Sequence, residues 1–187
     1  MARDEQVARL AERETLEALV GGFAGAGLPI AVSGSTRPRP RVALALPLPL
    51  GATAEADLVE LYLNERLPAD EVRRRVAAGL PTGFRLVALE DEWVGAPSLA
   101  SRVAAVVYRV DVEAGRPAPP PEGAPPTVRV VEWDEGAGRG TLAMRFERDE
   151  AGRLGRPGET VAALGAGLRV VRLVRASVEL AGEAPCR

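Results

Sequence analysis

Histidine and lysine are absent from this chain, so every one of its 24 basic residues is arginine. Without histidine there is no Ser-His or Cys-His pair and no imidazole metal ligand. Without lysine there is no phosphate-loop lysine and no Schiff-base amine. Most familiar enzyme classes are excluded with them. Cys186 is the single cysteine and stands next to the last residue, so no internal disulfide or thiolate metal cluster can form. Aromatic residues are few, three Phe, two Tyr and two Trp, and none cluster on a predicted strand, which weighs against a base-stacking platform. No run of about 18 apolar residues exists. The charged start Met1-Ala2-Arg3-Asp4-Glu5 is not followed by an apolar stretch, so neither a membrane span nor a secretory signal is expected and the expected compartment is the cytoplasm. A net charge of −2 provides no overall field to draw the molecule to nucleic acid.

What the chain does have is apolar material, 47% of its 187 residues, enough for one domain or two small ones. Its most informative segment is Arg37-Pro38-Arg39-Pro40-Arg41-Val42-Ala43-Leu44-Ala45-Leu46-Pro47-Leu48-Pro49-Leu50-Gly51, which sets arginines and prolines around a strand-like apolar core. Proline fixes φ and removes an amide donor. Pro38 and Pro40 therefore predict an extended, poorly paired approach, and Pro47 and Pro49 end any ladder after residues 42–46. In an extended chain Arg37, Arg39 and Arg41 project on one side, a guanidinium row able to grip phosphates or carboxylates bidentately. No carboxylate occurs anywhere in residues 31–53 to neutralise it. The competing reading is a solvated edge that blocks sheet-to-sheet pairing, a task that proline serves equally well.

Other charged or glycine-rich stretches are weaker candidates. Arg73, Arg74 and Arg75 share a predicted helix with Asp70 and Glu71, which is the pattern of a solvated face. Glu12 and Glu14, two apart on a helix, point to different faces and cannot act as a carboxylate pair. Glu90, Asp91 and Glu92 alternate sides in a strand, so they do not converge on a cation. Residues 136–140, Gly-Ala-Gly-Arg-Gly, join two strands instead of a strand and a helix, and read as a hairpin tip, not a phosphate loop. No catalytic residue, metal site or cofactor is predicted.

Periodicity predicts the elements. Leu16, Leu19, Val20 and Phe23 form a helical stripe stopped by Gly25 to Pro29. Residues 42–46 and 59–63 alternate as two strands of a hairpin-like pair, and Pro68 with Asp70 and Glu71 opens a short helix carrying Val72 and Val76. A strand follows from Phe84 through Leu86 and Ala88. In the second half, Val106, Tyr108, Val110 and Val112 mark a strand, and the proline-rich residues 116–126 form a semi-rigid connector. Residues 127–133 and 141–148 form a hairpin, Arg156-Pro157-Gly158-Glu159 opens a third helix, and residues 168–180 close the chain as a long strand.

Both halves thus show a β-β-α-β order, a weak internal repeat. The expected fold is α+β: two ferredoxin-like halves with antiparallel sheets, residues 1–96 and 97–187, the second lacking a full first helix, packed as one cooperative body. Only residues 6–10 are available as a leading strand of the first half, so that strand is expected to be missing.

Several strings also carry a family resemblance: Ala26-Gly27-Leu28-Pro29, residues 33–51, Leu67-Pro68-Ala69-Asp70-Glu71-Val72, Leu80-Pro81-Thr82-Gly83-Phe84-Arg85, Ala96-Pro97-Ser98-Leu99 and Arg156-Pro157-Gly158-Glu159-Thr160-Val161. In their order the chain resembles the radical-SAM-linked domain of unknown function, found beside or fused to a bacterial radical SAM protein. The resemblance implies a radical SAM partner. Where that family shows Ser-His-Leu-Asp and Asn-Pro-His-Pro, this chain has Ala11-Glu12-Arg13-Glu14 and Arg37-Pro38-Arg39-Pro40, so both histidines are replaced and the shared role this implies is binding. The expected function is a non-catalytic accessory or substrate-presenting domain in RNA or ribosome-related modification. The alternative is a stand-alone RNA-binding module using the arginine-proline segment.

Overall fold

The computed structural model describes residues 1–114, 126–165 and 167–182. They divide into two compact units, Met1–Arg102 and Val103–Arg187. The predicted connector at 116–126, apart from Pro126, and Cys186 lie outside the described residues.

Unit 1 runs β1 (Ala2–Arg3), α1 (Glu12–Gly25), β2 (Val32–Ser33), β3 (Arg39–Pro40), β4 (Val42–Leu44), β5 (Thr53–Ala54), β6 (Val59–Leu61), α2 (Ala69–Gly79), β7 (Phe84–Arg85) and α3 (Leu99–Arg102). The helical stripe lies where periodicity puts it, with Leu19 and Phe23 buried. Glu14 closes the start of α1, its Oε2 accepting from the Ala11 amide at 2.8 Å, and Gly27, at φ 73°, turns the chain away from its end. Leu19, Phe23, Leu28, Leu44, Val76 and Phe84 form the core together with Val7. The two long helices of this unit meet through backbone: a Cβ on Gly79 would stand 2.6 Å from the Gly22 carbonyl oxygen, and one on Gly22 only 1.9 Å from that of Gly79. No residue but glycine fits at this crossing.

A leading strand does exist in unit 1, upstream of residues 6–10. It is β1, paired antiparallel with both β5 and β7. It is two residues long, too short to leave a periodic signal. The same shortness limits β7: the strand expected through Ala88 stops at Arg85 because β1 offers it no further partner. β1 is anchored by a buried ion pair. Arg3 Nη1 lies 3.5 Å from Asp57 Oδ2, Arg3 Nη2 donates to Thr15 Oγ1 at 3.0 Å, and all three side chains are buried. The expected pair of residues 42–46 and 59–63 is present as β4 on β6, antiparallel, in a ladder of its own. β2 and β3 form another ladder, with Val32 opposite Pro40 and Ser33 opposite Arg39.

Unit 2 contains β8 (Val103–Glu113), β9 (Thr127–Asp134), β10 (Arg139–Glu147), α4 (Pro157–Leu164) and β11 (Arg169–Leu180). All follow the sequence pattern closely. The strand order is β11-β8-β10-β9, and every neighbour is antiparallel. On one face Val106, Tyr108, Val110 and Val112 of β8 are buried with Leu142, Met144 and Phe146 of β10. Tyr108 meets Phe146 edge-on at 5.9 Å, and its hydroxyl accepts from Nη2 of the buried Arg175 at 3.0 Å. The opposite face is polar: Thr141 donates to Asp111 at 2.7 Å and Arg145 to Glu179 at 2.7 Å. The whole is a mixed α+β architecture with antiparallel sheets and four helices among the described residues.

Candidate anion-binding hairpin

The arginine-proline segment forms one arm of the β2–β3 hairpin. Its base is held by three backbone bonds: the Ala31 amide donates to the Tyr62 carbonyl (2.8 Å), the Tyr62 amide to that of Arg41 (3.0 Å), and the Arg41 amide to that of Ala31 (2.7 Å). Proline explains why the ladder is so short, since Pro38 and Pro40 have no amide to donate. Gly34 makes the reversal possible. It sits at φ 89°, and a Cβ there would stand 3.0 Å from the Arg37 carbonyl oxygen.

The three arginines are treated differently. Arg37 lies in the bend, Arg39 in β3 and Arg41 immediately before β4, and all three are exposed. Arg39 stands two residues before Arg41 in extended backbone, and Arg37 lies in the bend ahead of β3. Arg41 lies flat on Tyr62, its guanidinium carbon 3.6 Å from the ring centroid, a contact worth about 0.5–1 kcal/mol at an exposed site. Neither the Arg37 nor the Arg39 side chain makes an ion pair or hydrogen bond among the described residues, and the hairpin has no carboxylate to offer them. The hairpin thus carries two exposed guanidiniums with no ion pair among the described residues and a third that is stacked, each a group able to donate two parallel hydrogen bonds to an oxyanion.

Tyr62 is the member that sequence reasoning missed. Its signal is conditional: once Val42 is known to face Leu61, the next residue outward on each strand is Arg41 and Tyr62.

The other charged stretches are absorbed by structure. Within the arginine triplet, Arg75 pairs with Glu71 and donates to the Gly27 carbonyl, while Arg73 donates to that of Leu89 at 3.3 Å. In the acidic run, Asp91 faces Arg66 at 3.8 Å and Glu92 pairs with Arg102 at 2.8 Å. Residues 136–140 lie at the β9–β10 turn and the start of β10, where the Ala137 amide donates to Asp134 at 3.1 Å and Gly138 takes φ 60°. Among the described residues no group of three or more His, Cys, Asp or Glu could hold a metal ion, and no helix is long and apolar enough to cross a membrane.

No curated protein and no solved structure matches the chain. The model of a family described as uncharacterized protein conserved in bacteria (DUF2344) matches residues 1–136, which takes in all of unit 1 together with β8 and β9, and the chain belongs to that family.

Proposed function

We propose that this protein is a non-catalytic accessory or substrate-presenting domain for a radical SAM partner in RNA or ribosome-related modification, and that the β2–β3 hairpin grips an anionic group of what is presented. One observation carries the binding half of this reading. Arg37 and Arg39 are exposed and unpaired among the described residues, on a hairpin whose base is fixed by backbone bonds. The radical SAM half rests on the sequence resemblance. Affinity purification of the tagged chain from its native host tests it: a radical SAM protein is expected among the retained partners, and its absence overturns the assignment.

The second reading, a stand-alone RNA-binding module, is favoured by the Arg41–Tyr62 stack, which presents a flat cationic and aromatic surface to a base. RNA affinity is then expected to fall steeply with salt and to be lost in the Arg37→Ala, Arg39→Ala, Arg41→Ala triple variant. Binding unchanged in that variant removes the hairpin from the reading. The ferredoxin-like description of the halves belongs to the same proposal. The order β11-β8-β10-β9, with α4 between β10 and β11, supports it for unit 2.

A further inference from the structure

β9 is an edge strand. Seven of its eight residues pair with β10 on one side, and on the other no described strand pairs with it. Edges of this length normally carry some device against pairing with other chains. Here Val130 and Val131 are 44% and 54% exposed in the middle of the strand.

The order of side chains on this edge is symmetric about its centre. Outward from the point between Val130 and Val131, Arg129 is matched by Glu132 and Val128 by Trp133. When two copies of one strand pair antiparallel, the two-fold axis runs perpendicular to the sheet, and opposed residues must lie on the same face. In a regular strand this forbids pairing residues three apart, which point to opposite faces. β9 is not regular. Leu142 stands opposite Val130 and Thr141 opposite Glu132, so Val131 is an extra residue in a β-bulge. Across the bulge Arg129 shares the face of Ala143 and Glu132 that of Thr141, one and the same face. Val128, opposite Met144, and Trp133, opposite Gly140, share the other. The bulge thus turns a sequence palindrome into a geometric one.

We propose that the free edge of β9 is a homodimer interface: two copies of this chain pair β9 with β9 about an axis between Val130 and Val131, extending one antiparallel sheet across both. Arg129 of each copy then opposes Glu132 of the other, twice over, and Val128 opposes Trp133. The occupant is a second copy, because the edge is its own complement: the Arg129–Glu132 pair is met twice under this self-pairing. Registers centred on Arg129 or on Glu132 are disfavoured, because each would set that residue against its own copy.

The test is sedimentation of the full-length chain in reducing buffer, which prevents crosslinking through Cys186, over a range of concentrations. Wild type is compared with Arg129→Glu, Glu132→Arg and the combined Arg129→Glu, Glu132→Arg variant, with thermal melts to verify folding. The wild type is expected to dimerise, each single variant to weaken dimerisation about tenfold or more by placing like charges opposite one another, and the combined variant to recover it. A wild type monomeric at every concentration overturns the proposal. So does a dimer indifferent to the single changes, or a combined variant that fails to recover. A monomer that instead takes up an added extended peptide along β9 also overturns it, since the edge would then serve a different occupant.

Discussion

Unit 2 concentrates its chain in four long strands that form one ladder system. Unit 1 scatters seven short strands over four short ladders. The contrast shows two ways to hold an antiparallel architecture together. Long strands with buried alternating faces are stabilised by area, and the loss of one apolar side chain is a local cavity. Two-residue strands carry little area of their own, so unit 1 depends on point contacts: the Arg3–Asp57 pair that seats β1, and the Gly22–Gly79 crossing that sets its two long helices together.

The largest effect is expected at the first of these points. Asp57→Ala removes the carboxylate that faces the buried Arg3 guanidinium, a loss of about 3–5 kcal/mol, measurable as a fall in the denaturant midpoint. Hydrogen exchange sharpens the comparison. If the two units unfold as one cooperative body, amides of β8 lose protection together with those of β1 and β5; if unit 1 melts alone, the β8 amides keep theirs. Leu142→Ala should come next. It empties part of a fully buried site in β10, at about 2–5 kcal/mol, and its cavity in unit 2 should be detectable by binding of a small apolar probe. Gly79→Ala should cost about 1–3 kcal/mol as the α1–α2 crossing is forced apart. A silent Gly79→Ala would break the claim that unit 1 rests on point contacts. The smallest effect is at Asp149. The backbone amide of Arg153, and then its side chain, hold this carboxyl below its ordinary value of 3.8. A depressed folded pKa means that the stabilisation is present above the unfolded value and disappears as pH falls through the folded one. Acid titration should therefore show a slight advantage of wild type over Asp149→Asn at neutral pH that vanishes in strong acid.

The same contrast governs what could be read from sequence. β8, β10 and β11 were legible because period-2 alternation over many residues is a signal of burial, and burial is what stabilises them. α1, α2 and α4 announced themselves by an apolar stripe or by a proline with acidic residues at the start. β1, β2, β3 and β5 were not legible: two residues define no period, and their existence depends on partners distant in the chain. α3, one helical turn whose Leu99 amide is satisfied by Glu60 at 2.8 Å, was missed for the same reason. Of the candidate site, the exposure of Arg37 and Arg39 followed from prolines and missing carboxylates. The bend at Arg37 and the stacking of Arg41 on Tyr62 did not, because they depend on where Gly34 reverses the chain and on the register that sets Val42 against Leu61.

The fixed base of the β2–β3 hairpin has a consequence for protein engineering. Ala31, Arg41 and Tyr62 are joined by main-chain hydrogen bonds, so the base of the hairpin does not depend on the side chains at its tip. Residues 34–38 form a replaceable cartridge: a longer loop, a peptide epitope or a reporter could be inserted there, with a closure cost that grows only slowly with insert length. The exposed surface of this hairpin could then be rewritten while the core is left as it is.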